Sequence, residues 1–223
     1  MPALIAHRGA SAQVLENTLA AFRRAMELGV DGIELDVHGT ADGVLVVHHD
    51  PDIDDQPIPA HTLAELRVAP LANGEPVPTL AEALDTIGAG FDVYIEVKAL
   101  PARLDAVLFA VMDAGPAPSR YHVHAFDHRL VRRLVDARPG LSAGVLSASY
   151  PLDPVPQVHA AGARTLWQHR DLIDTPLVAQ AHAARIRVIA WTVDRPGDAR
   201  RLADVGVDAI CTNVPDRIRE ALS

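Results

Sequence analysis

Short strand-like runs alternate from end to end with stretches of helical spacing, and no low-complexity linker interrupts them. This β/α rhythm leaves few architectures open, because strand–helix units in series stack into sheets with parallel neighbours. Strands are predicted at 4–8, 32–37, 93–98, 121–126, 143–147, 165–168, 188–193 and 209–212. Helical patterns fall at 17–28, 80–86, 104–113, 130–137, 176–184, 199–205 and 216–222. In the first of these, Leu19, Phe22 and Met26 share a face, Asn17 or Thr18 can cap the start, and Gly29 can end it.

About eight strands, each followed by a helix, predict a (β/α)₈ TIM barrel, with a doubly wound open sheet as the runner-up. The polar content of the strands favours closure. In 32–37, Ile33, Leu35 and Val37 take one face and Glu34 and Asp36 the other; in 93–98, Ile95 and Val97 alternate with Glu96 and Lys98. A strand covered by helices on both faces would instead be hydrophobic throughout. The whole chain, 1–223, is expected to form one domain, with 50–78 as a Pro- and Asp-rich excursion over the barrel mouth and a short helical candidate at 63–67.

A net charge of −9 argues against nucleic-acid binding, which needs basic surface to displace counterions. The single Cys211 excludes an intramolecular disulfide and fits a reducing compartment. No signal peptide is legible at the start and no segment is long enough to span a bilayer, so a cytoplasmic protein without stable membrane insertion is expected.

Several reactive side chains converge on the strand ends. His7, Arg8 and Gly9 close the first strand, and the Asp42-Gly43 turn leads into a run that delivers His48, His49 and Asp50 towards the same rim. Two histidines from different segments can serve as acid and base on either side of a phosphoryl group. Glu34, Asp36 and Glu96 offer oxygen ligands of the kind Mg²⁺, Ca²⁺ or Mn²⁺ accepts, and Arg8 and Lys98 complement phosphate charge.

The segments HRGASAQVLENT, GVDGIELDVHGTADGVLVVHHD, VPTLAEAL, YIEVK, AWTVD and GVDAICTNVPD, in that order over nearly the whole chain, resemble the glycerophosphodiester phosphodiesterase family. The resemblance implies a (β/α)₈ barrel that uses a divalent cation to hydrolyse a small-molecule glycerophosphodiester to glycerol 3-phosphate and an alcohol. It implies His7 and His49 as the catalytic pair, Glu34, Asp36 and Glu96 as metal ligands, and Arg8 and Lys98 as phosphate neighbours. Glu16 and Asn17 match the segment that closes round the first histidine, and Trp191 an aromatic residue lining the pocket. Three departures stand out: Asn213 where the family often has an acid, Ala125 where it has Ser, with His124 just upstream, and Asp-Asp-Gln-Pro after His49 in place of an Arg-Thr-Thr segment.

Other residues carry weaker signals. His48 reads as a packing or polar-bonding residue. His122 and His124 point into the barrel on alternation, with structure and substrate contact equally supported, and Trp167 and His169 raise the same choice. Asp52, Asp54 and Asp55 read as a solvated loop, and Cys211 as a small core residue. Two rival functions are a lysophospholipid or sphingophospholipid phosphodiesterase, which needs an apolar groove or interfacial surface, and a barrel that binds phosphate ligands without catalysis.

Overall fold

A computed structural model describes residues 1–223. In chain order the strands are β1 (Ala3–His7), β2 (Gly32–Gly39), β3 (Leu45–Val47), β4 (Asp52–Ile53), β5 (Gln56–Pro57), β6 (Asp92–Ala99), β7 (Tyr121–Ala125), β8 (Ala143–Ser147), β9 (Thr165–His169), β10 (Arg187–Trp191) and β11 (Ala209–Thr212). The helices are α1 (Leu19–Glu27), α2 (Leu63–Leu66), α3 (Leu80–Ile87), α4 (Asp105–Ala114), α5 (His128–Ala137), α6 (Pro154–Ala160), α7 (Thr175–Ala183), α8 (Pro196–Val205) and α9 (Pro215–Leu222). Parallel pairing runs in the order β1-β11-β10-β9-β8-β7-β6-β2, and the β1–β2 pair closes the ring. Closure settles the choice between barrel and open sheet. β3 adds outside the ring, antiparallel to the far end of β2.

Local sequence explains the element ends. Thr18 caps α1 by accepting from the Ala21 amide, and Gly29 takes the left-handed conformation just beyond it. In α3 the Thr79 hydroxyl and Glu82 carboxylate form a reciprocal capping box. The helix α6 has no counterpart in the helical patterns of the sequence, because two prolines break its reading. Both lie in its first turn behind the Asp153 cap, where a missing N–H costs no helical bond.

Alternation along the strands sorts residues into two apolar layers. Ile33, Leu35, Val37, Val93, Ile95 and Val97 face outward into the main core under the helices. Inside the barrel Ile5, Tyr94, Leu146, Trp167, Ile189 and Cys211 form a smaller plug, which supports the reading of Cys211 as a core residue. The excursion at 50–78 is ordered around a third small core of Val46, Ile53, Ile58, Leu66 and Val77. Asp54 and Asp55 occupy the turn of its β4–β5 hairpin, exposed and with positive φ, as a solvated loop should be.

Gly144 makes the interior plug possible. A Cβ there would lie 2.9 Å from Trp167 Cδ1, so only glycine lets the indole lie flat across β8. Replacing Gly144 by Val should cost about 1–3 kcal/mol of unfolding free energy through overpacking. Urea titration followed by tryptophan fluorescence checks this; an unchanged midpoint would show that the indole has room to move.

Candidate active site

The parallel register lines up the functional side chains at the C-terminal end of the barrel. His7 stands opposite Glu34, Asp36 opposite Glu96, and Glu96 opposite His124. Because these residues are in phase on their strands, all project into the barrel above the apolar plug. Glu34, Asp36, Glu96 and His124 are all buried.

Burial of three carboxylates demands compensation, and two cations supply most of it. Asp36 receives the larger share. Lys98 Nζ lies 2.9 Å from its Oδ1 and Arg8 Nε 3.0 Å from its Oδ2, as ion pairs by distance without hydrogen-bond alignment. Asn17 Nδ2 donates a hydrogen bond to Oδ2 at 2.8 Å. Burial opposes ionisation of Asp36, but Lys98, Arg8 and Asn17 together outweigh it and hold its carboxyl below the usual range. Lys98 also pairs with Glu96 at 2.6 Å. Burial and then the Asp36 charge still push the Glu96 carboxyl up.

Glu34 is left over. One oxygen accepts from the Arg8 backbone amide at 3.1 Å, and Oε1 is buried without a hydrogen-bond partner. Burial first, then repulsion from Asp36 and Glu96, raises its carboxyl well above the ordinary value. A buried carboxylate with an unpaired oxygen beside a second acid has the chemistry of a cation ligand. Ligand atoms of Glu34, Glu96 and His124 lie within 4.8 Å of one another. The structure therefore brings two of the three expected ligands together with a histidine, while Asp36 spends its oxygens on Arg8, Lys98 and Asn17.

The chain bends sharply to build this arrangement. Arg8 and Asn17 both have positive φ, 58° and 55°, which is strained for arginine, and the Asn17 amide hydrogen-bonds to the Arg8 carbonyl. Gly9 follows, packed so tightly on α1 that a Cβ would sit 2.7 Å from the Ala21 backbone. Glu16 reaches back to Arg8 Nη1 at 2.8 Å. The Glu16–Asn17 segment thus secures Arg8 and Asp36.

His7 is oriented by a relay that the sequence did not reveal. Asn213 Oδ1 lies 2.7 Å from His7 Nδ1, and the same amide donates through Nδ2 to Asp194 at 2.7 Å. An ionised Asp194 only accepts, so it turns the Asn213 carbonyl towards His7. His7 consequently donates from Nδ1 and keeps its lone pair on Nε2, which lies 3.9 Å from Glu34 Oε2. Burial and the neighbouring Arg8 charge lower the His7 pKa, favouring the neutral ring. Asp194 follows β10 and Asn213 follows β11, so only the pairing of those strands joins them.

His49 sits half-exposed beyond β3 and hydrogen-bonds to Asp50 at 2.8 Å. Its backbone is tied to β2, since His38 Nε2 meets the His49 carbonyl at 3.2 Å and the His48 amide donates to the Asp36 carbonyl. Trp191 stands edge-on to Phe126 and His169, with ring centroids 5.5 and 5.4 Å away, as an aromatic wall at the rim. Deeper in, His124 stacks on Trp167 at 4.1 Å with planes 4° apart, and burial lowers its pKa to about 3. His122 instead stacks on Tyr94 one layer below and bonds to Ser142, away from the acids.

The chain has relatives of known family over nearly its whole length. The model of the glycerophosphoryl diester phosphodiesterase family matches residues 7–217. A glycerophosphodiester phosphodiesterase of Caldanaerobacter subterraneus is 35% identical over 96% of this chain and 95% of its own length. The crystal structure of a glycerophosphodiester phosphodiesterase from Parabacteroides distasonis superposes with a TM-score of 0.89 at 27% identity, covering 99% of this chain and 96% of that one. An Oleispira antarctica phosphodiesterase solved in complex with the product sn-glycerol-3-phosphate gives 0.90 at 25% identity, covering 100% and 97%. On fold and sequence alike, the chain belongs to the glycerophosphoryl diester phosphodiesterase family.

Proposed function

We propose that this chain hydrolyses a water-soluble glycerophosphodiester to glycerol 3-phosphate and an alcohol, with His7 as general base, His49 as general acid and a divalent cation held by Glu34 and Glu96. Glycerophosphodiester hydrolysis follows from family membership; the residue roles are the proposal. The observation that carries them is the buried Glu34 carboxylate, with Oε1 unpaired and Oε2 3.9 Å from His7 Nε2. When bound, the cation, Mg²⁺, Ca²⁺ or Mn²⁺, supplies Lewis-acid polarisation of a phosphoryl oxygen. His7, with Nδ1 committed to Asn213, takes the proton of the attacking oxygen on Nε2. His49, backed by Asp50, gives a proton to the departing alkoxide. Arg8 and Lys98, held in place by Asp36, stabilise negative charge growing on the phosphoryl group. The product complex of the Oleispira relative supports the substrate class, and no helix here is long and apolar enough to cross a membrane. The lone Cys211 fits a cytoplasmic location, and hydrolysis of a glycerophosphodiester would serve glycerol and lipid-headgroup metabolism.

One observation favours a long-chain substrate instead. Leu15, Phe126, Tyr150 and Leu152 are exposed on loops that follow barrel strands, at the end where the site lies. The excursion, by contrast, buries most of its large apolar side chains. Comparing glycerophosphocholine with a lysophosphatidylcholine decides between the two; preference for the soluble headgroup diester is expected, and faster release from the lysolipid would move the assignment to the lipid substrate.

Substituting His7 or His49 by Ala should lower kcat by roughly 10²–10⁴-fold while leaving the melting temperature nearly unchanged. Wild-type turnover in both variants would remove them from the mechanism. Asp194→Asn frees the Asn213 amide to reverse and present Nδ2 to His7. That change should reduce kcat about 10–100-fold with little effect on KM. If kcat were untouched, His7 would not need the relay.

A further inference from the structure

We propose that His124 is a protein ligand of the cation site, so that this chain binds its ion through an imidazole as well as carboxylates and prefers Mn²⁺, Co²⁺ or Zn²⁺ to Mg²⁺ or Ca²⁺. The inference rests on the cation reading of the proposed function and deepens it by naming the class of ion. Glu34, Glu96 and His124 are the buried residues whose ligand atoms converge within 4.8 Å. His124 Nε2 lies 4.0 Å from Glu34 Oε1, too far for a hydrogen bond. Two donors each about 2.1 Å from one small ion can be no more than about 4.2 Å apart, so the observed 4.0 Å already lies within the span of a shared ion.

Two features mark this as a built site rather than an accidental cluster. Glu34 Oε1, the oxygen that His124 Nε2 faces, is buried and has no hydrogen-bond partner, a costly arrangement for a group with nothing to bind. The ring is also fixed before any ligand arrives. Trp167 covers one face of the imidazole with nearly parallel planes, and Gly144 provides the space that lets Trp167 lie there. Oxygen-only sets suit Mg²⁺ and Ca²⁺, whereas imidazole nitrogen shifts preference towards borderline transition ions. His124 pairs in register with Glu96, so the nitrogen enters the site from the neighbouring strand without any change of backbone.

The test is metal binding by the full-length chain stripped with a chelator. Calorimetry with Mn²⁺, Co²⁺, Mg²⁺ and Ca²⁺ should show wild type binding the first two at least about tenfold tighter than the last two. His124→Ala should erase that preference, weakening Mn²⁺ and Co²⁺ by about tenfold or more while changing Ca²⁺ little. Pulsed electron paramagnetic resonance of the Mn²⁺-loaded wild type should show nitrogen coupling from an imidazole. That coupling should persist in His7→Ala, which excludes the other nearby ring and needs no folded His124 variant. Binding of all four ions unchanged by His124→Ala, or no nitrogen coupling in wild type, overturns the inference and leaves the hydrolase reading standing. Failure of folded wild type to bind any of the ions overturns the cation reading together with it.

Discussion

The catalytic rim depends on a single buried charge. Asp36 is completely shielded from solvent, and its ionised form persists because Lys98, Arg8 and Asn17 crowd around it. Those three residues come from three different segments, the end of β6 and the two ends of the loop between β1 and α1. Neutralising Asp36 would remove the one partner that Arg8 and Lys98 share, leaving Arg8 with Glu16 and Lys98 with Glu96. Glu34 Oε1 stays unpaired because the two cations are taken up by Asp36, Glu16 and Glu96.

Beneath this network the barrel interior is filled rather than open. Tyr94, Trp167, Leu146, Ile5 and Ile189 form an apolar plug whose upper surface is the indole of Trp167. The plug lowers the effective dielectric under the acids and excludes water from below. That is why Glu34 is so reluctant to ionise without a cation. It also ties fold to site physically, because Gly144, which binds nothing, sets the position of Trp167 and through it the plane of His124.

Most of the barrel is legible in the sequence because period-two alternation records which way each residue faces. Ile33, Glu34, Leu35 and Asp36 declare their faces without reference to any other strand. The alternation of His122 and His124 likewise places both inside, but it cannot say which one meets the acids. That depends on register: His124 pairs with Glu96 while His122 pairs with Tyr94 one layer lower. Asp194 carries no local signal either, since its partner Asn213 is adjacent only through the β10–β11 pairing. The prolines of α6 mislead in a different way. A reading that treats proline as a helix breaker misses that the first turn has no N–H bond to lose.

The departures of this chain from its family's pattern are connected by this geometry. Where the family often carries an acid after the last strand, this chain has Asn213, and the acid is found one hydrogen bond further out as Asp194. The amide passes on the orientation without the charge. His7 therefore keeps a defined tautomer while its neighbourhood gains one less negative charge, and the lowered His7 pKa reflects burial and Arg8 without an adjacent carboxylate on Nδ1 to oppose them. On the opposite side of the site, His124 introduces a neutral donor where further acid would worsen the repulsion already raising Glu34 and Glu96. The Asn213 departure moves negative charge away from a pocket that must admit an anionic phosphodiester. Glu16, Glu34, Asp36 and Glu96 outnumber the fixed cations Arg8 and Lys98 by two, an excess of negative charge that a divalent ion would offset before an anionic phosphoryl group enters.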